Sequence, residues 1–428
     1  MGALSLAVLL LLMLTGIPVV FAMGTASLLI LAVDRGITGI PVATMAQRVL
    51  SGLDSFPLLA IPLFLLAGNL MNTGGITNRI FGFADAVVGH IRGGLGHVNV
   101  LASMIFAGMS GSATADAAGL GTVEIKAMTD AGYDRDYSVA ITGASALIGP
   151  IIPPSIPMVL YGILAEVSVG ALFIGGIVPG LLMATALMVT ASLYARRRGY
   201  PKRSWAGLAS VWSAFRRGVL SLLTPVIIIG GITFGVFTAT EAAAVACLYA
   251  AILVTVVYRE VDGAGLWRIL QSTMVDSAVI MVIFGAASLF GYLLVRLRVP
   301  FAMADWVTGL TDSPLLVLLL LNVLFLVIGC FESAAVTITI MTPILIPLVE
   351  RVGIDPIHFG VVMVLNLMIG NLTPPFGMVL FVLQRVGDLP FDRLVRALVP
   401  FLVPLGAVLL LTIVFPQSVT WLPRALMR

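Results

Sequence analysis

Charge is what this 428-residue chain has least of: Asp, Glu, Lys and Arg together make up only 10% of it. A water-soluble domain of this length needs about a quarter of its residues charged, so a soluble globular fold is excluded. Cysteine is nearly absent. Cys247 and Cys330 both sit in apolar stretches, which leaves neither a disulfide framework nor a CxxC metal site. The three histidines, His90, His97 and His358, are scattered without metal-ligand spacing. HExxH, GxSxG with a histidine partner and GxxxxGK[ST], the motifs sought for an intramembrane enzyme, are all missing. The net charge of +3 resides in short loops and leaves no basic surface for nucleic acid.

What is present is apolar. Hydrophobic residues make up 60% of the chain and the mean hydropathy is +1.13, which defines an all-α integral membrane protein in contact with lipid. Apolar stretches near 4–33, 56–71, 98–128, 138–166, 169–195, 219–257, 273–295, 315–349, 357–382 and 395–416 allow roughly ten to twelve crossings or re-entrant segments. The opening MGALSLAVLLLLMLTGIPVV has no charged n-region and is read as a retained first helix rather than a cleaved signal peptide. Segment 79–92, with apolar Ile80, Phe81, Ala84, Val87, Val88 and Ile91, fits an interfacial helix or an ordinary loop helix equally well.

One pattern is written twice. GMSGSATAD (108–116) precedes GPIIPPSIP (149–157), and GCFESAAVT (329–337) precedes GNLTPPFGM (370–378), each pair related by an offset of 221 residues. At that offset, and without a gap, Ser112 falls on Ser333, Asp134 on Asp355, Gly149 on Gly370, Pro153 and Pro154 on Pro374 and Pro375, and Pro179 on Pro400. Matched Gly, Ser, Asp and Pro-Pro in one register mark a duplication. The chain then divides into a first repeat (1–195), a basic linker (196–218) and a second repeat (219–428). The linker carries RRRGYPKR (196–203), Arg216 and Arg217, which places it in the cytoplasm by the positive-inside rule. If the stretch at 98–128 is a hairpin that enters and leaves by one face, the second half is inverted and both termini are periplasmic.

The residue types suit an ion site. In the hydrocarbon region an irregular backbone survives only where protein or a water-filled cavity satisfies its polar groups. SGSATAD supplies Gly111 for a turn, hydroxyls on Ser110, Ser112 and Thr114, and the Asp116 carboxylate. Pro153 and Pro154 lack N–H donors, so carbonyls around Gly149 to Ile152 lose their helical partners. Hydroxyl and carbonyl oxygens are ligands for a hard cation such as sodium. The N-terminal ends of the broken helices favour an anion, so a carboxylate substrate follows. A lone SGS or Pro-Pro in a membrane helix is usually a packing notch or kink. It is the repetition of both, in the same order and register, that argues for a carrier.

GMSGSATADAAGLGTVEI (108–125), GASALIGPIIPPSIPMVLYG (143–162), FTATEAAAVACLYA (237–250) and NLTPPFGMVLFV (371–382) closely resemble the large membrane subunit of tripartite ATP-independent periplasmic (TRAP) transporters. The likeness extends from the first helix to PQSVTWLP (416–423). The resemblance implies a bacterial inner-membrane permease that imports carboxylates, among them dicarboxylates and sialic acids, on a sodium gradient. It also implies a small four-helix membrane subunit and a periplasmic binding protein as partners, and an elevator fold with inverted repeats, two re-entrant hairpins and two broken helices, its scaffold and transport domains interleaved. Carried over, a first sodium site takes Ser110, Ser112, Gly149, Ile152 and Pro154. The repeat extends this to Phe331, Ser333, Gly370, Thr373 and Pro375, where Phe331 offers only its carbonyl and Thr373 adds a hydroxyl that Ile152 lacks. A substrate pocket is expected near Thr114, Asp116 and Ser333. The alternatives left open are a self-contained sodium and carboxylate symporter, an intramembrane enzyme and a passive channel.

Overall fold

The computed structural model of the protein describes residues 2–72 and 74–427, and among these residues every regular element is helical. The first half runs through α1 (Gly2–Leu14), α2 (Val19–Arg35), α3 (Val42–Leu53), α4 (Ala60–Met71), α5 (Gly74–Val88), α6 (Gly94–Ser110), α7 (Ala113–Ala118), α8 (Leu120–Asp130), α9 (Arg135–Ala146), α10 (Ile156–Leu164) and α11 (Val169–Arg198). The second half runs through α12 (Leu208–Thr233), α13 (Ala239–Ile252), α14 (Gly263–Arg296), α15 (Val299–Thr308), α16 (Pro314–Gly329), α17 (Ala334–Arg351), α18 (Pro356–Asn371), α19 (Met378–Gly387), α20 (Phe391–Val414) and α21 (Gln417–Leu426). Moving the first-half boundaries forward by 221 residues carries α6 onto α16, α7 with α8 onto α17, α9 onto α18, α10 onto α19 and α11 onto α20. The same shift carries α2 onto α13 and α3 with α4 onto α14. The duplication is thus a property of the whole fold.

The copies differ where their breakers differ. α14 is one helix of 34 residues, whereas α3 and the segment Phe56–Met71 meet at a bend of 58°. Pro57 lies at the bend, where it removes an N–H and pushes the preceding residue out of the helical region; its counterpart in α14 is Ala278. Likewise α7 and α8 part at Gly119, which an Asn72 side chain approaches closely, while the matching α17 runs through Ile340 unbroken.

Among the described residues, six helices are long and apolar enough to cross a membrane, or seven if the bent pair counts as one span. The apolar stretches are more numerous because several, including α6, α16, α18 and α19, are 10–17 residues long and begin or end at the duplicated motifs. A full crossing takes about 20 residues. Large apolar side chains such as Val226, Leu248, Val275, Leu320 and Val403 are exposed along the outside, as expected of a surface solvated by lipid. Within 196–218 the irregular stretch is confined to 199–207. Arg196, Arg197 and Arg198 form the last turn of α11, where they complement the helix dipole, and Arg216 and Arg217 lie inside α12. The helix expected over 79–92 is α5, whose buried stripe of Ile76, Ile80 and Ala84 faces α6 and α12.

The two halves pack across each other rather than side by side. α4 lies against α13 and α14 against α2; α10 packs on α17, and α19 packs on α7. The last two contacts are equivalent under the repeat, so the helix following each break is clamped to the motif-bearing turn region of the other half.

Candidate functional site

The first junction forms where α6 stops. Gly111 has φ +63°, the left-handed conformation that glycine adopts at no steric cost, and it ends the helix. Ser112 then caps α7, its hydroxyl accepting the Ala115 N–H at 3.4 Å and sharing a hydrogen bond of 3.0 Å with Thr114. Ser110 is 2% exposed and Asp116 1% exposed. The Ser110 hydroxyl donates to Asp116 Oδ1 and accepts the Ser112 N–H at 3.4 Å, so its single hydrogen is spent and one lone pair remains available. Asp116 Oδ2 is buried without a hydrogen-bond partner. It points at the break between α9 and α10, since a Cβ on Gly149 would come within 2.7 Å of it. Gly111 touches the same break from the other side: a Cβ there would lie 2.5 Å from the Pro154 carbonyl oxygen. The Pro153–Pro154 bond is cis. One carbonyl in the break is already satisfied, because Ser155 donates to Pro150 O at 2.5 Å while capping α10 through the Met158 N–H.

The second junction repeats this plan with different side chains. Ser333 caps α17 by accepting the Val336 N–H at 3.3 Å, the same role that Ser112 plays on α7. The tip is tied to the break by the Phe376 N–H, which donates to Cys330 O at 3.1 Å. Gly329 and Gly370 meet backbone to backbone, for a Cβ on Gly370 would lie 2.8 Å from Gly329. Thr373 donates its hydroxyl to Ile369 O at 2.7 Å, and Asn371 Oδ1 is buried without a partner. The Pro374–Pro375 bond is cis, as in the first copy. Phe331 and Phe376, 57% and 54% exposed, pack with tilted rings 5.9 Å apart between centroids, joining the tip to the break.

The structure thus links Ser110 to Gly149 through Asp116 and seats Gly111 on Pro154 in the first junction, and seats Gly329 on Gly370 and Phe331 on Phe376 in the second; Ser112, Ile152, Ser333, Thr373 and Pro375 belong to these tip and break segments. Thr114 stays beside Ser112, and Asp116 belongs geometrically with Ser110 and Gly149. Ser333 keeps its described hydrogen bonds within the second junction. Both donor sets are oxygen: hydroxyls, backbone carbonyls, and an unpartnered carboxylate or amide oxygen. That chemistry fits a hard monovalent cation, and the orphaned Asp116 Oδ2 and Asn371 Oδ1 are groups whose burial such an ion would offset.

A polar seam behind the first junction escaped the sequence reading. Asn99 Nδ2 donates to Thr142 Oγ1 at 2.6 Å, Ser145 donates to Asn99 Oδ1 at 2.7 Å, and Ser103 donates to Ser145 Oγ at 3.0 Å. Glu124 is buried against it. The available signal was the repeat itself: at the positions matching Asn99, Ser103, Glu124 and Thr142 the second half has Leu320, Leu324, Leu345 and Met363, while Ser145 matches the polar Asn366. The second half has its own, smaller seam, in which Asn366 Nδ2 donates to Asn322 Oδ1 at 2.6 Å.

Two copies of one helical unit in the membrane, each with a capped turn seated on a broken helix, define a membrane protein of transporter architecture. The crystal structure of the YdaH transporter of Alcanivorax borkumensis has the same fold, with a TM-score of 0.65 at 16% identity over 89% of this chain and 90% of that one. Residues 6–418 match the family described as the tripartite ATP-independent periplasmic transporter, DctM component. The chain is 48% identical to the sialic acid TRAP transporter large permease protein SiaM of Vibrio cholerae, over 96% of each chain. It is 44% identical to the sialic acid TRAP transporter permease protein SiaT of Haemophilus influenzae, over 99% of this chain and 68% of that one. The chain belongs to the DctM family of TRAP transporter large permeases. It is a membrane permease and not an enzyme.

Proposed function

We propose that this permease couples the sodium gradient to import of a carboxylate across the bacterial inner membrane. The observation that carries the reading is the twofold seating of a serine-capped turn on a Pro-Pro break, each bringing hydroxyl, carbonyl and unpartnered buried oxygens together. A sodium ion at each junction would be held by Ser110, Ser112, Gly149, Ile152 and Pro154 in the first half, and by Phe331, Ser333, Gly370, Thr373 and Pro375 in the second. With both ions in place the turns are fixed to the breaks and the substrate pocket near Thr114, Asp116 and Ser333 is completed. The clamping of α10 on α17 and α19 on α7 favours both junctions moving as one body, the elevator motion, with each turn acting as the tip of a re-entrant hairpin.

The substrate class follows from the relatives' names, which specify sialic acid, a carboxylate, for SiaM and SiaT. The word "large" in the name of the V. cholerae relative supports a separate small membrane subunit, and the extra length of SiaT beyond its match to this chain fits a fused one. The family description supports delivery by a periplasmic binding protein. The arginines around 196–217 orient the 199–207 segment to the cytoplasm, leaving both termini periplasmic. The test is uptake by liposomes holding this chain and its small subunit, with the binding protein added outside and sodium varied. Uptake indifferent to sodium removes the coupling; uptake without the binding protein favours a self-contained symporter.

A further inference from the structure

Glu124 sits on α8, 1% exposed, with neither carboxylate oxygen in a hydrogen bond. Ser103 of α6 and Thr142 of α9 stand beside it, and Asp116 is the only other charged group acting on it; no Lys, Arg or His among the described residues does so. A charge buried in a membrane protein without a partner is costly and as a rule functional. Ser103 spends its hydrogen on Ser145, and Ser145 can spend its own on Asn99, so Ser103 has lone pairs left for a ligand. Thr142 Oγ1 accepts the Asn99 amide and keeps its own hydrogen and one further lone pair on the side of Glu124.

One carboxylate with two hydroxyl oxygens is a hard, singly charged donor set, and its charge is balanced by one monovalent cation. We propose that Glu124, Ser103 and Thr142 form a third sodium site, separate from the two junctions and present in the first half only. The proposal rests on the sodium-coupled reading above. The second half has Leu345, Leu324 and Met363 at these three positions and cannot build the same site. The ion count per chain is therefore odd, although the fold is duplicated. The asymmetry also gives the polar seam a purpose: it orients two hydroxyls toward a carboxylate that nothing else neutralises.

Radioactive sodium bound at equilibrium to the purified chain in lipid nanodiscs tests this directly. The wild type should bind one ion more than Glu124→Gln, and Ser103→Ala or Thr142→Val should weaken that ion severalfold while the carboxylate remains. The last two variants keep the test decisive if Glu124→Gln does not fold. Equal counts and affinities in the wild type and all folded variants would overturn the site. So would an unchanged sodium count together with a proton taken up in mildly acidic, sodium-free buffer by the wild type and not by Glu124→Gln, since the occupant would then be a proton. A wild type that binds no sodium at all would instead remove the coupling reading on which the proposal rests.

Discussion

The two tip-on-break junctions share a backbone plan but differ in burial and chemistry. In the first, the serine, the aspartate and the entire Pro-Pro break are buried, and a carboxylate oxygen faces Gly149. In the second, the buried unpartnered oxygen is the Asn371 amide, Pro375 and two phenylalanines are exposed, and glycine backbones meet. Duplication has conserved what backbone geometry demands: serine N-caps at 112 and 333, glycines at 149 and 370, and paired prolines. It has released what side chains contribute, with Ser110 replaced by Phe331 and Ile152 by Thr373. Two related ion sites of unequal strength are the expected consequence.

The largest effect is expected at the glycines. Gly370→Ala places a Cβ 2.8 Å from the Gly329 backbone, which cannot swing aside. A backbone clash of this kind costs more than about 2 kcal/mol, so sodium-driven uptake should fall by more than about tenfold. Gly149→Ala meets the Asp116 side chain first, at 2.7 Å, and a side chain can partly yield. The measured loss should be smaller; equal losses would break the contrast between a backbone-packed and a side-chain-packed junction.

Ser112→Ala and Ser333→Ala come next. Each removes an N-cap of about 1 kcal/mol together with a hydroxyl ligand, and the half-saturating sodium concentration should rise roughly fivefold in both. An unchanged sodium dependence in both variants would sink the assignment of these serines. A smaller change is expected from Phe331→Ser, which copies the first junction into the second. It gives up a ring contact with Phe376 of about 0.5–1.5 kcal/mol, visible as a slightly lower melting temperature, and supplies a hydroxyl that should lower the half-saturating sodium concentration. A rise would show that the hydroxyl does not reach the ion.

The smallest effect lies outside the membrane, where Asp134 and its repeat partner Asp355 have diverged. Asp355 caps α18 through the Ile357 and His358 N–H groups. Asp134 instead accepts from Tyr200 at 2.6 Å and from Arg198 at 2.5 Å, and these two hydrogen bonds hold its carboxyl below the usual range. A depressed folded value means that the stabilisation is complete above the ordinary carboxylate range and is lost as the pH falls through the depressed value. The melting temperature of Asp134→Asn should accordingly fall less steeply in acid than that of the wild type. The side chain is about half exposed, so the difference should be small.

Much of this was legible in the sequence, for a physical reason. Backbone interruptions in a membrane need Gly, Pro and Ser at fixed spacing, and Ser112 with Ser333 and Gly149 with Gly370 could be paired from the offset alone. Relations that depend on which faces of neighbouring helices meet were not legible. That Asp116 accepts from Ser110 and faces Gly149 could not be read from the offset. Glu124 went unnoticed because its partners come from α6 and α9, some 20 residues away on either side. The count of crossings was also blurred, since hydropathy does not distinguish one full span from a short helix that ends at a Pro-Pro break.

The most direct measurement is a sodium titration of binding-protein-dependent uptake in proteoliposomes, run side by side for the wild type, Ser112→Ala and Ser333→Ala. Cooperative dependence on sodium in the wild type, displaced to higher concentration by either serine variant, is the predicted result. Uptake that proceeds equally well without sodium, or identical titrations in all three proteins, would contradict it.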